Sequence, residues 1–187
     1  MNDLASGHSG RWEPLAARCL WLTGLSGAGK STLAQLLVAR LRAQGLQACP
    51  VDGDALRKGL SCDLGFSDAD RSENIRRAAE LARLLVDQGI WVVVSLISPF
   101  RADRALARAR FVPGEFIEVY VDAPLSVCEQ RDPKGLYARA RRGQLPGMTG
   151  IDSVYEAPEQ PELHLHTELE LPDLCLQRIL DSLPHWA

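Results

Sequence analysis

No apolar run in the 187-residue chain approaches the roughly 20 residues that a membrane-spanning helix needs. No helical membrane anchor and no membrane partner are therefore expected. The start, MNDLASGHSGRWEP, lacks the charged and apolar segments of a secretion signal, so a cytoplasmic location is expected. No charge of one sign dominates: 21 Lys and Arg against 24 Asp and Glu leave a formal net charge of −3. The domain-wide basic signature of nucleic-acid binding is absent. The five cysteines form no C-x-x-C pair, which indicates neither a zinc site nor a disulfide framework. Internal repeats and low-complexity tracts are also missing. What remains is a chain of 46% hydrophobic residues, long enough for one sizeable core.

Short apolar runs alternate with helical patterns from Arg18 onward: CLWLT, STLAQLLVARLRAQG, ACPVD, a long segment starting near Ser67, IWVVVSLI, RADRALARARF and FIEVYVD. This alternation predicts an α/β fold with a parallel central sheet flanked by helices. IWVVVSLI, with no polar alternation, reads as a central strand, and FIEVYVD, which alternates more, as one nearer an edge. A strand over LHLHTELEL and a helix after Pro172 close the pattern. Residues 1–17 read as a flexible tail, 18–187 as a single domain, and the Gly-, Pro- and Arg-rich stretch 132–161 as a mobile lid or binding loop.

The stretch GLSGAGKST follows the first predicted strand and opens a helix, which is the context that the phosphate-loop pattern Gly24-x-x-x-x-Gly29-Lys30-Ser31 requires. Gly24, Leu25, Ser26, Gly27, Ala28 and Gly29 supply a backbone that turns around phosphate oxygens. Lys30 reaches the outer phosphates, and Ser31, with Thr32 beside it, offers a hydroxyl to Mg²⁺. ATP is the implied ligand.

Asp52 and Asp54, in VDGD, end the second strand at the sheet edge where parallel folds bind ligands. One carboxylate can serve the magnesium shell while the other orients or deprotonates an attacking hydroxyl. Asp122, ending FIEVYVD, competes for a metal-linked role. Ser67 and Asp70 have capping-box spacing, and Ile75, Ala78, Ala79, Ala82, Leu85 and Val86 trace one apolar helix face. Arg71 and Asn74, on one side of that helix's start, form a candidate anion clamp. His164 and His166 alternate on a strand, but with no acid or cysteine at ligand spacing they read as an ordinary strand face. Arg139, Arg141 and Arg142 read as lid or surface charges.

Taken together, GLSGAGKST, DGDALRKGL, DLGFSDADRSENIRR, ISPFRADR, EVYVDAPLSVCEQRDPKGLYARAR and GMTGIDSVYEAPEQPE resemble, in this order, the adenylylsulfate kinase family. The resemblance implies a P-loop kinase fold with a mobile lid. It implies transfer of the ATP γ-phosphate, with Mg²⁺, to the 3′-hydroxyl of adenosine 5′-phosphosulfate, giving 3′-phosphoadenosine 5′-phosphosulfate and ADP in sulfate activation. A homodimer and a functional link to ATP sulfurylase are implied as partners. Carried onto matching positions, Asp54 is the base or metal-linked acid, with Asp52 supporting it. Arg57, Arg71, Asn74, the Ile97 backbone and Ser98 are substrate contacts, and Phe66 stacks on the substrate adenine. Arg131 covers ATP, and Lys134 reaches towards phosphate. For Ser98 substrate contact is favoured over a phosphoserine intermediate. The sequence departs from the family pattern at Ala55, in an asparagine position, at Met148, where an aromatic normally faces the adenine, and at Ala138, where lysine is common.

Overall fold

The computed structural model describes residues 16–183. Among them the elements run β1 (Cys19–Thr23), α1 (Lys30–Ala43), β2 (Ala48–Asp52), α2 (Gly53–Lys58), α3 (Asp68–Asp87), β3 (Trp91–Ser95), α4 (Arg101–Arg108), β4 (Phe116–Asp122), α5 (Leu125–Arg131), α6 (Leu136–Arg141), β5 (Leu163–His166) and α7 (Pro172–Asp181). The strands form one parallel sheet ordered β2-β3-β1-β4-β5. The expected α/β architecture is therefore present. The expected tail, residues 1–17, lies almost wholly outside the described residues.

β1 and β3 are buried at every position, as continuous apolar runs in a helix-covered parallel sheet should be. Pro50 is accommodated because β2 is an edge strand. The sequence-based placement of the central strands needs one correction. β1 is the middle strand, and β3 and β4 each lie one place from an edge. The polar alternation of β4 has a different cause. Glu118 is buried beneath α4, where its Oε1 accepts from Arg104 Nε at 2.7 Å. The pair lets a carboxylate sit in an interior strand.

α3 begins as its sequence demands. Ser67 Oγ accepts from the Asp70 amide while Asp70 reaches back to the Ser67 amide, a complete capping box. Its buried face carries Ile75, Ala78, Ala79, Ala82 and Val86, and also Asn74. The strand expected over LHLHTELEL stops at His166, where Thr167 takes a turn that bonds its amide to the Asp122 carbonyl. Within the stretch expected as a lid, α6 is an ordered helix. Tyr137 on it donates to the Ser26 carbonyl at 2.9 Å, fastening it to the loop after β1.

The connections leaving β1 and β4, which are neighbours, run to opposite sides of the sheet. Open parallel sheets have a crevice at such a switch point, beyond the carboxyl ends of the strands. The 24–29 loop lies there.

Candidate active site

A cleft of about 1010 Å³ opens over that edge of the sheet. It is lined by Ser26, Gly27, Ala28, Gly29, Lys30, Ser31, Thr32, Asp52, Asp54, Arg57, Phe66, Arg71, Asn74, Ile97, Ser98, Arg131, Lys134 and Met148. Beside others such as Ser95, Leu96, Leu145 and Thr167, the lining thus includes the site residues expected from the sequence apart from Gly24 and Leu25. Those two contribute carbonyls, which accept from Lys30 Nζ at 2.8 and 2.7 Å.

The loop geometry explains its glycines. Gly24 has φ +146°, and a Cβ there would stand 2.2 Å from the Val121 carbonyl oxygen, so neither the conformation nor the space admits a side chain. Gly29 has φ +103° and turns the chain into α1, whose first residue is Lys30. The residues of this helix start line the cleft, and the unpaired amides of a helix's first turn suit an anion.

Burial pushes the Lys30 ammonium down to about 8, with Lys134 acting in the same direction and Cys128, Asp52 and Asp54 opposing. An incoming phosphate favours the charged form, so the affinity for Mg-ATP should hold below about pH 8. Above that it should fall by up to about tenfold per pH unit, with proton uptake on binding. Calorimetric titration across this range in two buffers of different ionisation enthalpy checks both; an affinity flat to pH 9.5 would contradict it.

Ser31 Oγ donates to Asp52 Oδ2 at 3.1 Å, and Ser95 Oγ donates to the same oxygen at 3.0 Å. Asp52 Oδ1 accepts from the amides of Asp54 and Ala55, capping α2. Burial alone would raise the Asp52 pKa. The hydrogen bonds from Ser95, the Asp54 amide, Ser31 and the Ala55 amide outweigh it and hold the carboxyl below its ordinary range. Asp54 projects from the first turn of α2 and is ion-paired with Lys134. Asp122 is not among the residues lining the cleft and is bonded instead to Tyr120 and His164.

At the other end of the cleft, Phe66 is exposed, with the Arg57 guanidinium 4.4 Å above its ring centroid. Arg57 itself is fixed by the Gly65 carbonyl at 2.6 Å. Arg71 donates to the carbonyls of Phe66 and Gly147 and to Thr149 Oγ1, tying the ring to the segment that carries Met148. Met148 is buried. Asn74 Oδ1 is buried and has no protein partner.

Ser98 adopts φ +41°, a left-handed conformation that costs a non-glycine residue energy unless its surroundings hold it. Three groups do so. Trp21 Nε1 donates to its Oγ at 3.1 Å, Arg104 donates to its carbonyl at 2.6 Å, and Thr23 Oγ1 donates to the Ile97 carbonyl at 2.7 Å.

Two contributors have no sequence signal. Ser95 acts only through strand register, since β2 pairs Asp52 with it. Thr167 accepts from Arg131 Nη1 at 3.3 Å and donates to the Ala28 carbonyl at 2.8 Å, joining the turn after β5 to the loop.

The adenylylsulphate kinase family model matches residues 16–166. The chain belongs to that family. It is 59% identical over 165 residues to the adenylyl-sulfate kinase of Burkholderia ambifaria, covering 88% of this chain and 91% of that one. It is 62% identical over 146 residues to that of Aeromonas hydrophila, covering 78% and 74%. Among solved structures, the APS kinase CysC of Mycobacterium tuberculosis in complex with AMPPNP and APS superposes with a TM-score of 0.87. It is 48% identical, with 91% of this chain and 99% of that one covered.

Proposed function

We infer that the chain transfers the γ-phosphate of ATP to the 3′-hydroxyl of adenosine 5′-phosphosulfate, releasing ADP. The observation that carries this reading is the two-ended cleft, with a phosphate loop on one side, the Phe66 platform with Arg57 on the other, and Asp52 and Asp54 between them.

Lys30 and the amides of the 24–29 loop bind the ATP phosphates. Arg131, braced by Thr167, covers the nucleotide. Ser31 and Asp52, hard oxygen donors 3.1 Å apart, suit Mg²⁺. When bound, the metal neutralises charge on the transferred phosphoryl group. The acceptor adenine rests on Phe66, and Asn74 Oδ1, unpartnered in the protein, is available to a donor on the acceptor. Asp54 takes the proton of the 3′-hydroxyl as its oxygen bonds to the γ-phosphorus and the bond to the bridging oxygen breaks. Lys134 screens the phosphate charge. The segment 132–161 acts as the lid that excludes water. The same reading carries association into a homodimer and cytoplasmic work beside an ATP sulfurylase.

Direct transfer between two bound substrates needs no protein phosphate. Ser98 Oγ is buried and accepts from Trp21, which supports the reading of Ser98 as a substrate-side contact over that of a nucleophile. Ser98→Ala should therefore keep most of its kcat while losing about 1–3 kcal/mol of stability through the orphaned Trp21 N–H. Loss of turnover with unchanged stability would restore the covalent route.

The function is tested by ADP release from Mg-ATP with and without adenylylsulfate, with the product identified by mass spectrometry. Adenylylsulfate-dependent ADP matched by the 3′-phosphorylated product is expected. ADP formed only with a sugar or another nucleoside as acceptor would overturn the reading.

A further inference from the structure

β5 places His164 and His166 two residues apart, so both rings leave the same face of the sheet. Its parallel register sets Tyr120 beside His164 and Asp122 beside His166. One carboxylate and two imidazoles thus converge, with one ligand atom of each within 4.8 Å of the others. Asp122 Oδ2 is 2.9 Å from His164 Nε2 and 3.8 Å from His166 Nδ1. Ligand atoms around a tetrahedral ion at ordinary zinc distances stand about 3.3 Å apart, between these two values.

The surroundings are built to hold the three groups. Tyr120 donates its hydroxyl to Asp122 Oδ1 at 3.0 Å, leaving Oδ2 for the imidazoles, and its ring stacks on His164 with centroids 4.6 Å apart. The two imidazoles pack with centroids 4.2 Å apart. Glu168, which lines the nucleotide cleft, borders the cluster, its Oε1 4.0 Å from His166 Nδ1, and its buried Oε2 has no hydrogen-bond partner. A buried carboxylate oxygen without a donor is costly, and a cation beside it removes that cost.

We propose that Asp122, His164 and His166 form a binding site for a divalent first-row transition metal, best suited to Zn²⁺, separate from the Mg²⁺ shell at Ser31 and Asp52. Two imidazoles and one carboxylate select such a metal over Mg²⁺, which prefers an all-oxygen shell. The half-exposed histidines leave a position for water. Neither histidine lines the nucleotide cleft. Thr167, next to His166, connects the two regions through its bonds to the Asp122 and Ala28 carbonyls.

Chelator-treated full-length protein, free of nucleotide, is titrated with Co²⁺ and followed by visible absorption. One equivalent should bind, with the intense bands of a four- or five-coordinate ion. Stoichiometric Zn²⁺ should displace it, and a large excess of Mg²⁺ should not. His164→Ala and His166→Ala should each weaken Co²⁺ binding by at least about tenfold. His164→Gln, which keeps most of the side-chain volume, should do the same, and metal-free melting curves verify that each variant is folded. His8→Ala and His185→Ala, outside the described residues, should change nothing. Absence of the bands, their persistence in the strand variants, or their loss in the His8 or His185 variant would overturn the site.

Discussion

Asp54→Ala should lower kcat by about two to four orders of magnitude, the range for removal of a positioned general base. It should do so without weakening Mg-ATP binding. In the structure the Asp54 carboxylate is ion-paired with Lys134, so its removal leaves that ammonium available to phosphate. Asp52, in contrast, is bonded to Ser31, Ser95 and two amides that cap α2, and Asp52→Ala should disturb metal binding, helix start and turnover together. The two variants are separated by measuring kcat and the Kd for Mg-ATP in each. An Asp54→Ala enzyme within tenfold of the parent would remove Asp54 from proton transfer.

Arg104→Met should be the most destabilising of the substitutions considered. Arg104 is buried and donates to Glu118, to the Ser98 carbonyl and to the Glu156 carbonyl, all at 2.6–2.7 Å. Removing it leaves Glu118 with Arg108 alone, at 3.3 Å, leaves the Glu156 carbonyl without that donor, and leaves the Ser98 carbonyl with Thr23 Oγ1 at 3.3 Å. Breaking one side of a buried pair costs about 3–5 kcal/mol, whereas replacing both sides with apolar groups is often close to neutral. Urea denaturation should therefore show a large loss for Arg104→Met and substantial recovery in the Arg104→Met, Glu118→Leu double variant. Equal stability of the two would mean that the cost lies in the freed carbonyls and not in the stranded carboxylate. Because the same guanidinium holds the Ser98 carbonyl, the KM for adenylylsulfate should rise in both variants.

The longer elements and the phosphate loop were legible because their signals are local. A strand followed by GLSGAGKST and a helix contains its own explanation, and Ser67 with Asp70 announces the start of α3 within four residues. α2, α5 and α6 were not legible. They have 6 or 7 residues each, too few for a helical period to stand out, and the tertiary contacts that stabilise them, such as Tyr137 with Ser26, join residues far apart in the chain. Distance along the chain also hid the cluster on β5. His164 and His166 lack an acid at ligand spacing in the sequence, and register with β4 supplies Asp122. Glu118 gave a misleading signal: its charge suggested proximity to an edge, while its partner on α4 lies in the interior.

The fit of Gly24 against the Val121 carbonyl has a consequence for synthesis on the ribosome. The phosphate loop is encoded near the start of the chain, but part of the surface against which it is shaped is the end of β4, translated much later. β1 likewise finds its partners only when β3 and then β4 have emerged. A nascent chain that has passed α1 and β2 therefore carries the whole motif without the scaffold that forms it. The ability to hold a nucleotide should arrive late and abruptly, after residue 122 has left the exit tunnel, and not accumulate as the chain lengthens.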